Sequence, residues 1–260
     1  MPADTAVVQH DGAVWIVMRD VGAALRRRWT PPAALAAARH LASLYTLGAA
    51  PGVLETRWLE HDGGSAYAHH ATAGHGNLDG LAGDTRPAGV FTSGQVAALH
   101  TALDSADAVA ALARRLPQTL VHGDFHSRNA GMAEDGTLTL IDWEHVGAGP
   151  IGYDLGTFAS LYRVFGGAGD LDETELLRTY SAALGRSTGT DVTDEAALGF
   201  ATVHLTWGLH LRLGPGLTAV REGFHGDRPQ DIAPHVDDIR TGCLRALFWA
   251  PAVQAAMSGR

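Results

Sequence analysis

The spacing of apolar positions changes several times along the chain, and each change marks an element. Residues 4–18 alternate about His10-Asp11-Gly12, which predicts a β-hairpin with arms at Ala6-Val7-Val8 and Val14-Trp15-Ile16-Val17-Met18. From Thr30 the period becomes helical. Thr30 can cap, Pro31 suits the first turn, and Leu35, Ala38, Leu41 and Tyr45 share one face up to a stop at Gly48. Residues 48–93 hold no sustained period and are rich in glycine, Gly74-His75-Gly76 included, so an irregular region is expected there.

A helix is predicted from Ser93, with Val96, Leu99 and Leu103 on one face, and another over 105–115. A second hairpin follows, with strands near 130–133 and Leu138–Ile141 joined by Glu134-Asp135-Gly136. Asp172 and Glu175 form a capping box ahead of Leu176, Leu177, Tyr180 and Leu184, with Gly185 as the expected stop. Thr193 is positioned to cap a long helix that is apolar nearly all round and therefore central. A last helix is expected over 236–249, ended by Pro251, and no internal repeat is present.

Composition narrows the function classes. With 46% hydrophobic and 18% charged residues over 260 positions, the chain is an ordinary globular one. It holds no stretch near the ~20 apolar residues of a membrane span and no basic stretch before an apolar run at its start, so no membrane partner is expected and a cytoplasmic location is. One cysteine, Cys243, excludes an internal disulfide and agrees with a reducing compartment. All 19 basic residues are arginine, which excludes chemistry built on a lysine. The net charge of −9 argues against nucleic acid as a partner and suits a cationic small molecule.

The candidate chemistry lies in Leu120-Val121-His122-Gly123-Asp124-Phe125-His126-Ser127-Arg128-Asn129 and, beyond the hairpin, Ile141-Asp142-Trp143-Glu144. A short apolar strand leads into a polar turn that presents Asp124 and, five residues on, Asn129, and the hairpin returns Asp142 to them. One carboxylate can take a hydroxyl proton, while an amide oxygen and a second carboxylate are hard ligands for Mg²⁺. An Asp base, an Asn five residues later and a metal-binding Asp after a hairpin are the parts kinases use for phosphoryl transfer.

On these residues the chain resembles the aminoglycoside phosphotransferase and choline kinase-like family, which has a protein-kinase-like fold. The catalytic-loop pattern is His122-Gly123-Asp124 with Asn129, the metal-binding pattern is Ile141-Asp142-Trp143-Glu144, and the downstream pattern is Gly149-Pro150-Ile151-Gly152-Tyr153-Asp154-Leu155. The resemblance implies an α+β, mainly helical fold: a kinase-like C-lobe over 23–260, with catalytic loop 120–129 and metal-binding segment 138–155. The N-terminal lobe is reduced to the hairpin and hinge of 1–22, without the phosphate loop and strand lysine of the complete fold.

The resemblance further implies Mg²⁺-dependent transfer from ATP or another nucleoside triphosphate to the hydroxyl of a small-molecule acceptor. Asp124 would be catalytic, Asn129 and Asp142 the metal ligands, His122 and Asp154 braces, and Met18, Arg19, Asp20 and Val21 the nucleotide-facing hinge. The absent upper wall leaves room for a partner chain to complete the nucleotide site, with Arg19 and Arg26-Arg27-Arg28 as candidate replacements for the lysine's charge.

Competing readings are a kinase-like binding protein or repurposed enzyme that has lost phosphotransfer, and a metallohydrolase using His122, Asp124 and His126. Gly147-Ala148-Gly149-Pro150-Ile151-Gly152 satisfies a dinucleotide fingerprint, but Pro150 and the preceding hairpin argue for a kinase-type loop instead.

Overall fold

A computed structural model describes residues 6–10, 13–17, 22, 28–59, 71–81, 90–222 and 233–259. The first sheet is the antiparallel pair β1 (Ala6–His10) and β2 (Ala13–Val17), in which Ala6 faces Val17 and His10 faces Ala13. The hinge residues Met18, Arg19, Asp20 and Val21, with Arg26 and Arg27, lie outside the described residues.

Helix α1 (Pro31–Gly48) starts where its capping chemistry puts it: the Thr30 side chain accepts from the Ala33 N–H at 3.4 Å. Its buried face, Ala34, Ala38 and Leu41, lies along α6 (Glu173–Thr188). Between these two helices sits the larger core, filled by Trp29, Phe125, Ile151, the Leu155 and Phe158 face of α5 (Tyr153–Leu161), and Tyr162 just after it.

Residues 48–93 are not irregular throughout, because α2 (Ala71–Leu81) lies within them. Its glycines do not break it; Gly74 lets the backbone approach Leu103 and Leu213, and Gly80 lies beneath the Arg221 guanidinium. The buried Asn77 amide donates to the Leu213 and Gly214 carbonyls at 2.8 and 3.0 Å. Tertiary contacts thus hold a helix whose intrinsic propensity is poor. Helices α3 (Ser93–Asp104, with a capping box on Thr92 and Gln95) and α4 (Ala106–Arg115) complete this side of the molecule. No single described helix is long and apolar enough to cross a membrane.

The central rod begins as α7 (Thr193–Val203) and runs on through α8 (Leu209–Leu211) to α9 (Leu217–Glu222), with π-helical turns at His204–Gly208 and Arg212–Gly216. Buried Arg212 donates to the Gly208 carbonyl at 3.0 Å and the Ser160 hydroxyl at 2.8 Å, tying the widened turn to α5. With α10 (Ala233–Met257) the rod encloses a second core that contains Leu99, Leu103, Leu209 and Leu213.

Three expected helix ends are corrected. Helix α6 passes Gly185 and stops at Gly189, whose φ of 71° is left-handed and whose N–H donates to the Gly185 carbonyl. Thr193 is the first residue of α7 rather than its cap, and its N–H is taken by the Asp191 carboxylate at 3.1 Å. Helix α10 continues through Pro251, because Val253 is fully buried and Ala256 and Met257 pack on the second core.

The site is carried by two small sheets. Strand β3 (Gln118–Val121) pairs antiparallel with β6 (Gly147–Pro150), Val121 facing Gly147, and β4 (Ala130–Met132) pairs with β5 (Leu138–Leu140). Because β6 is antiparallel to β3, the glycine pattern at 147–152 cannot open a βαβ unit.

Phe158 is the pin of the larger core, 1% exposed, with Trp29, Phe125 and Tyr162 rings at 4.9, 5.1 and 5.6 Å. Phe158→Ala is expected to lower unfolding free energy by about 3–5 kcal/mol, read from urea denaturation. A loss under about 1 kcal/mol would mean that this cluster does not hold the loop-bearing half together.

Candidate active site

Strand β3 ends at Val121 and the chain turns into the 122–129 loop. The turn needs Gly123: its φ is 82°, and a β-carbon there would overlap the His145 carbonyl. The buried Asp154 carboxylate, in the first turn of α5, accepts from the N–H of His122 at 2.7 Å and of Gly123 at 3.0 Å. Burial pushes the Asp154 pKa up, and the two backbone N–H bonds that it accepts oppose that shift.

His122 is fully buried and both ring nitrogens are engaged. Its Nε2 lies 2.8 Å from the Ile141 carbonyl, and its Nδ1 is 3.3 Å from the Asp124 N–H, which donates to it. The ring is therefore neutral, with the proton on Nε2. It cannot ligate zinc without breaking one of these bonds. His75 faces His100 nitrogen to nitrogen at 2.6 Å.

Phe125 plugs the loop into the core, and Asn129 returns over it. The Asn129 Nδ2 donates to Asp124 Oδ2 at 2.8 Å and to the Asp124 carbonyl at 3.2 Å. A carboxylate only accepts, so the NH₂ end of the Asn129 amide must face Asp124, and its oxygen end is turned elsewhere. His126 Nε2 lies 3.4 Å from the same Oδ2. Oδ1 of Asp124 accepts no hydrogen bond among the described residues. The ring N–H of His126 holds the Asp124 pKa below the usual carboxylate value, against partial burial.

The hairpin brings Asp142 to this loop through one residue. The Ile141 N–H donates to the Asn129 carbonyl at 2.9 Å, and the Ile141 carbonyl meets His122. Asp142 itself is exposed with φ 61°, and it is the only non-glycine among the described residues with a positive φ. That backbone costs about 1 kcal/mol for a residue with a β-carbon.

The Asn129 amide oxygen, not used in the bonds to Asp124, and the exposed Asp142 carboxylate are hard oxygen donors of the kind Mg²⁺ takes. No three His, Cys, Asp or Glu side chains converge on one point among the described residues, so a cation here would be completed by substrate oxygens and water rather than by a protein cage.

Sequence reasoning passed over Phe165. This residue follows α5, and its ring lies 4.5 Å from that of His126 and 4.4 Å from the Arg128 guanidinium carbon. No local pattern marks it, because the contact is made only by the fold. His126 was legible as a polar residue two positions from Asp124, but its role beside Oδ2 was not.

Residues 3–196 match the family described as the phosphotransferase enzyme family. No curated protein matches the chain. The crystal structure of a choline/ethanolamine kinase family protein from Mesorhizobium loti is similar in fold, with a TM-score of 0.52 at 18% identity over 98% of this chain and 78% of that one.

A folded-state pKa below the unfolded value means that ionised Asp124 adds stability above the unfolded pKa, lost as pH falls through the folded one. His126→Ala removes the leading cause. The Asp124 carboxyl, followed by ¹³C NMR, is then expected to titrate at higher pH, closer to the usual carboxylate value. An unmoved midpoint would show that His126 does not act on Oδ2.

Proposed function

The chain belongs to the phosphotransferase enzyme family, and we propose that it transfers the γ-phosphoryl group of ATP or another nucleoside triphosphate to a hydroxyl of a small molecule. The observation that carries this reading is Asp142. An exposed carboxylate is held in a left-handed backbone directly after a residue bonded on both sides to the loop of Asp124 and Asn129. Glycine would relieve that backbone at no steric cost, so the strain is retained for the carboxylate.

In this reading Asn129 Oδ1 and the Asp142 carboxylate would hold Mg²⁺, which would supply charge neutralisation to the nucleotide phosphates. Asp124 Oδ1 receives the acceptor hydroxyl, while Asn129 and His126 keep Oδ2 turned away from it. The acceptor oxygen forms its bond to the γ-phosphorus as the bond to the bridging oxygen breaks, and the nucleoside diphosphate leaves. The hydroxyl proton passes to Asp124. A carboxylate whose pKa is lowered is a weak base, so Asp124 chiefly orients the hydroxyl and takes the proton late, as a loose transition state allows.

Asp142→Gly is expected to abolish Mg²⁺-dependent nucleotide binding while leaving the melting temperature nearly unchanged, measured by calorimetry with and without the metal. Unaltered metal-dependent affinity would remove the proposed site. Asp124→Asn is expected to lower turnover about a hundredfold or more, with nucleotide affinity preserved, by ³¹P detection of the transferred phosphate. The absence of lysine from the chain favours the rival reading, a binding protein without transfer. Nucleotide binding with no phosphate reaching any acceptor would decide for it.

A further inference from the structure

Arg128 immediately precedes Asn129, yet the two side chains do opposite things. Asn129 is buried and turned to Asp124, whereas Arg128 is exposed, with its guanidinium carbon 4.4 Å from the centre of the Phe165 ring. Its backbone N–H donates to His126 Nδ1 at 3.2 Å. Arg128 pairs with no carboxylate among the described residues, unlike Arg163, Arg178, Arg212 and Arg245. A guanidinium lying on an aromatic ring keeps its N–H edges open for a bidentate oxyanion.

The platform beneath it is fixed. The Ser127 hydroxyl donates to the Phe165 carbonyl at 2.9 Å, and the Phe165 N–H donates to the Leu161 carbonyl at 3.1 Å. The following turn closes through Gly166, at φ 83°, and the Gly167 N–H bonded to the Tyr162 carbonyl at 2.8 Å. Phe165 also touches the His126 ring, which lies beside Asp124. Arg128 thus reaches Asp124 by way of Phe165 and His126, whereas Asp142 reaches it by way of Ile141, His122 and Asn129.

From this arrangement we infer that Arg128, stacked on Phe165, binds an anionic group, a carboxylate or a phosphate, on the acceptor whose hydroxyl is presented to Asp124. The inference rests on the phosphotransferase reading and names the acceptor's chemical class. It departs from the cationic acceptor that the net charge of −9 suits. The contact is governed by the local charge of the exposed Arg128 guanidinium, on the ring that touches the Asp124-bound His126, and not by the sum over the surface.

The test uses the full chain with Mg-ATP and a panel of hydroxyl compounds in matched pairs: hydroxy acids with their primary amides, and sugar phosphates with the free sugars. Phosphate transfer is followed by ³¹P NMR. Accepted compounds are expected to be the charged members, and the carboxylate and phosphate arms separate the two sources of the anion. Arg128→Gln is expected to raise the acceptor KM about tenfold or more, with Arg128→Lys recovering part of the loss and Phe165→Leu falling between. Equal use of neutral partners, an unchanged acceptor KM, or a rise confined to the nucleotide KM would overturn the inference.

If no compound is phosphorylated, the phosphotransferase reading fails, and the anion site is decided separately. The Arg128 Nε–H signal, assigned by its loss in Arg128→Lys, is followed during titration with inorganic phosphate, with exposed Arg186 as the reference in the same spectrum. Saturation of Arg128 at phosphate concentrations about tenfold lower supports the site; an equal response of the two arginines overturns it.

Discussion

Two hydrogen bonds onto one buried carboxylate hold the candidate site together. Asp154, at the start of α5, takes the N–H groups of His122 and Gly123, the first two residues after β3. Without this acceptor the buried His122 N–H would lose its partner, a cost of about 1–3 kcal/mol, and the half-buried Gly123 N–H would lose its own. Gly123 has to be glycine for the turn to present both amides, and Gly152, left-handed at φ 90°, has to be glycine for α5 to begin where Asp154 can receive them.

From that anchor the loop is fixed at successive points by different means. His122 reads the backbone on both sides of the turn, through the Ile141 carbonyl and the Asp124 amide. Phe125 is driven into the larger core against Phe158, so hydrophobic burial positions a polar loop. Asn129 closes it with one amide bonded to both the side chain and the carbonyl of Asp124. The result is an Asp124 with Oδ2 engaged by Asn129 and His126 and Oδ1 without a hydrogen bond among the described residues.

The second core supports this construction from behind. Its π-helical turns leave carbonyls that an ordinary α-helix would satisfy, and the buried Arg212 uses that freedom to bind the rod to α5 through Gly208 and Ser160. Asp238 on α10 lies 3.6 Å from the same guanidinium and balances its charge. The helix that carries Asp154 is thereby held on one face by the aromatic core and on the other by a charged clasp.

Much of this was legible in the sequence, where local chemistry decides the outcome. Thr30-Pro31 and Asp172 with Glu175 mark helix starts because a cap needs only residues a turn apart. The hairpin at 130–140 and the spacing of Asp124 and Asn129 likewise follow from short-range geometry. Long-range contacts settled the rest. Glycines that read as breakers sit inside α2 because Leu103, Leu213 and Arg221 approach them closely, and Pro251 stays within α10 because the turns beyond it are buried. Phe165 joined the site only when the end of α5 was folded back onto Ser127 and Arg128. A local pattern records what a residue does to its own turn; which distant side chain comes to lie beside it is set by how the helices pack, and that is written in no single segment of the chain.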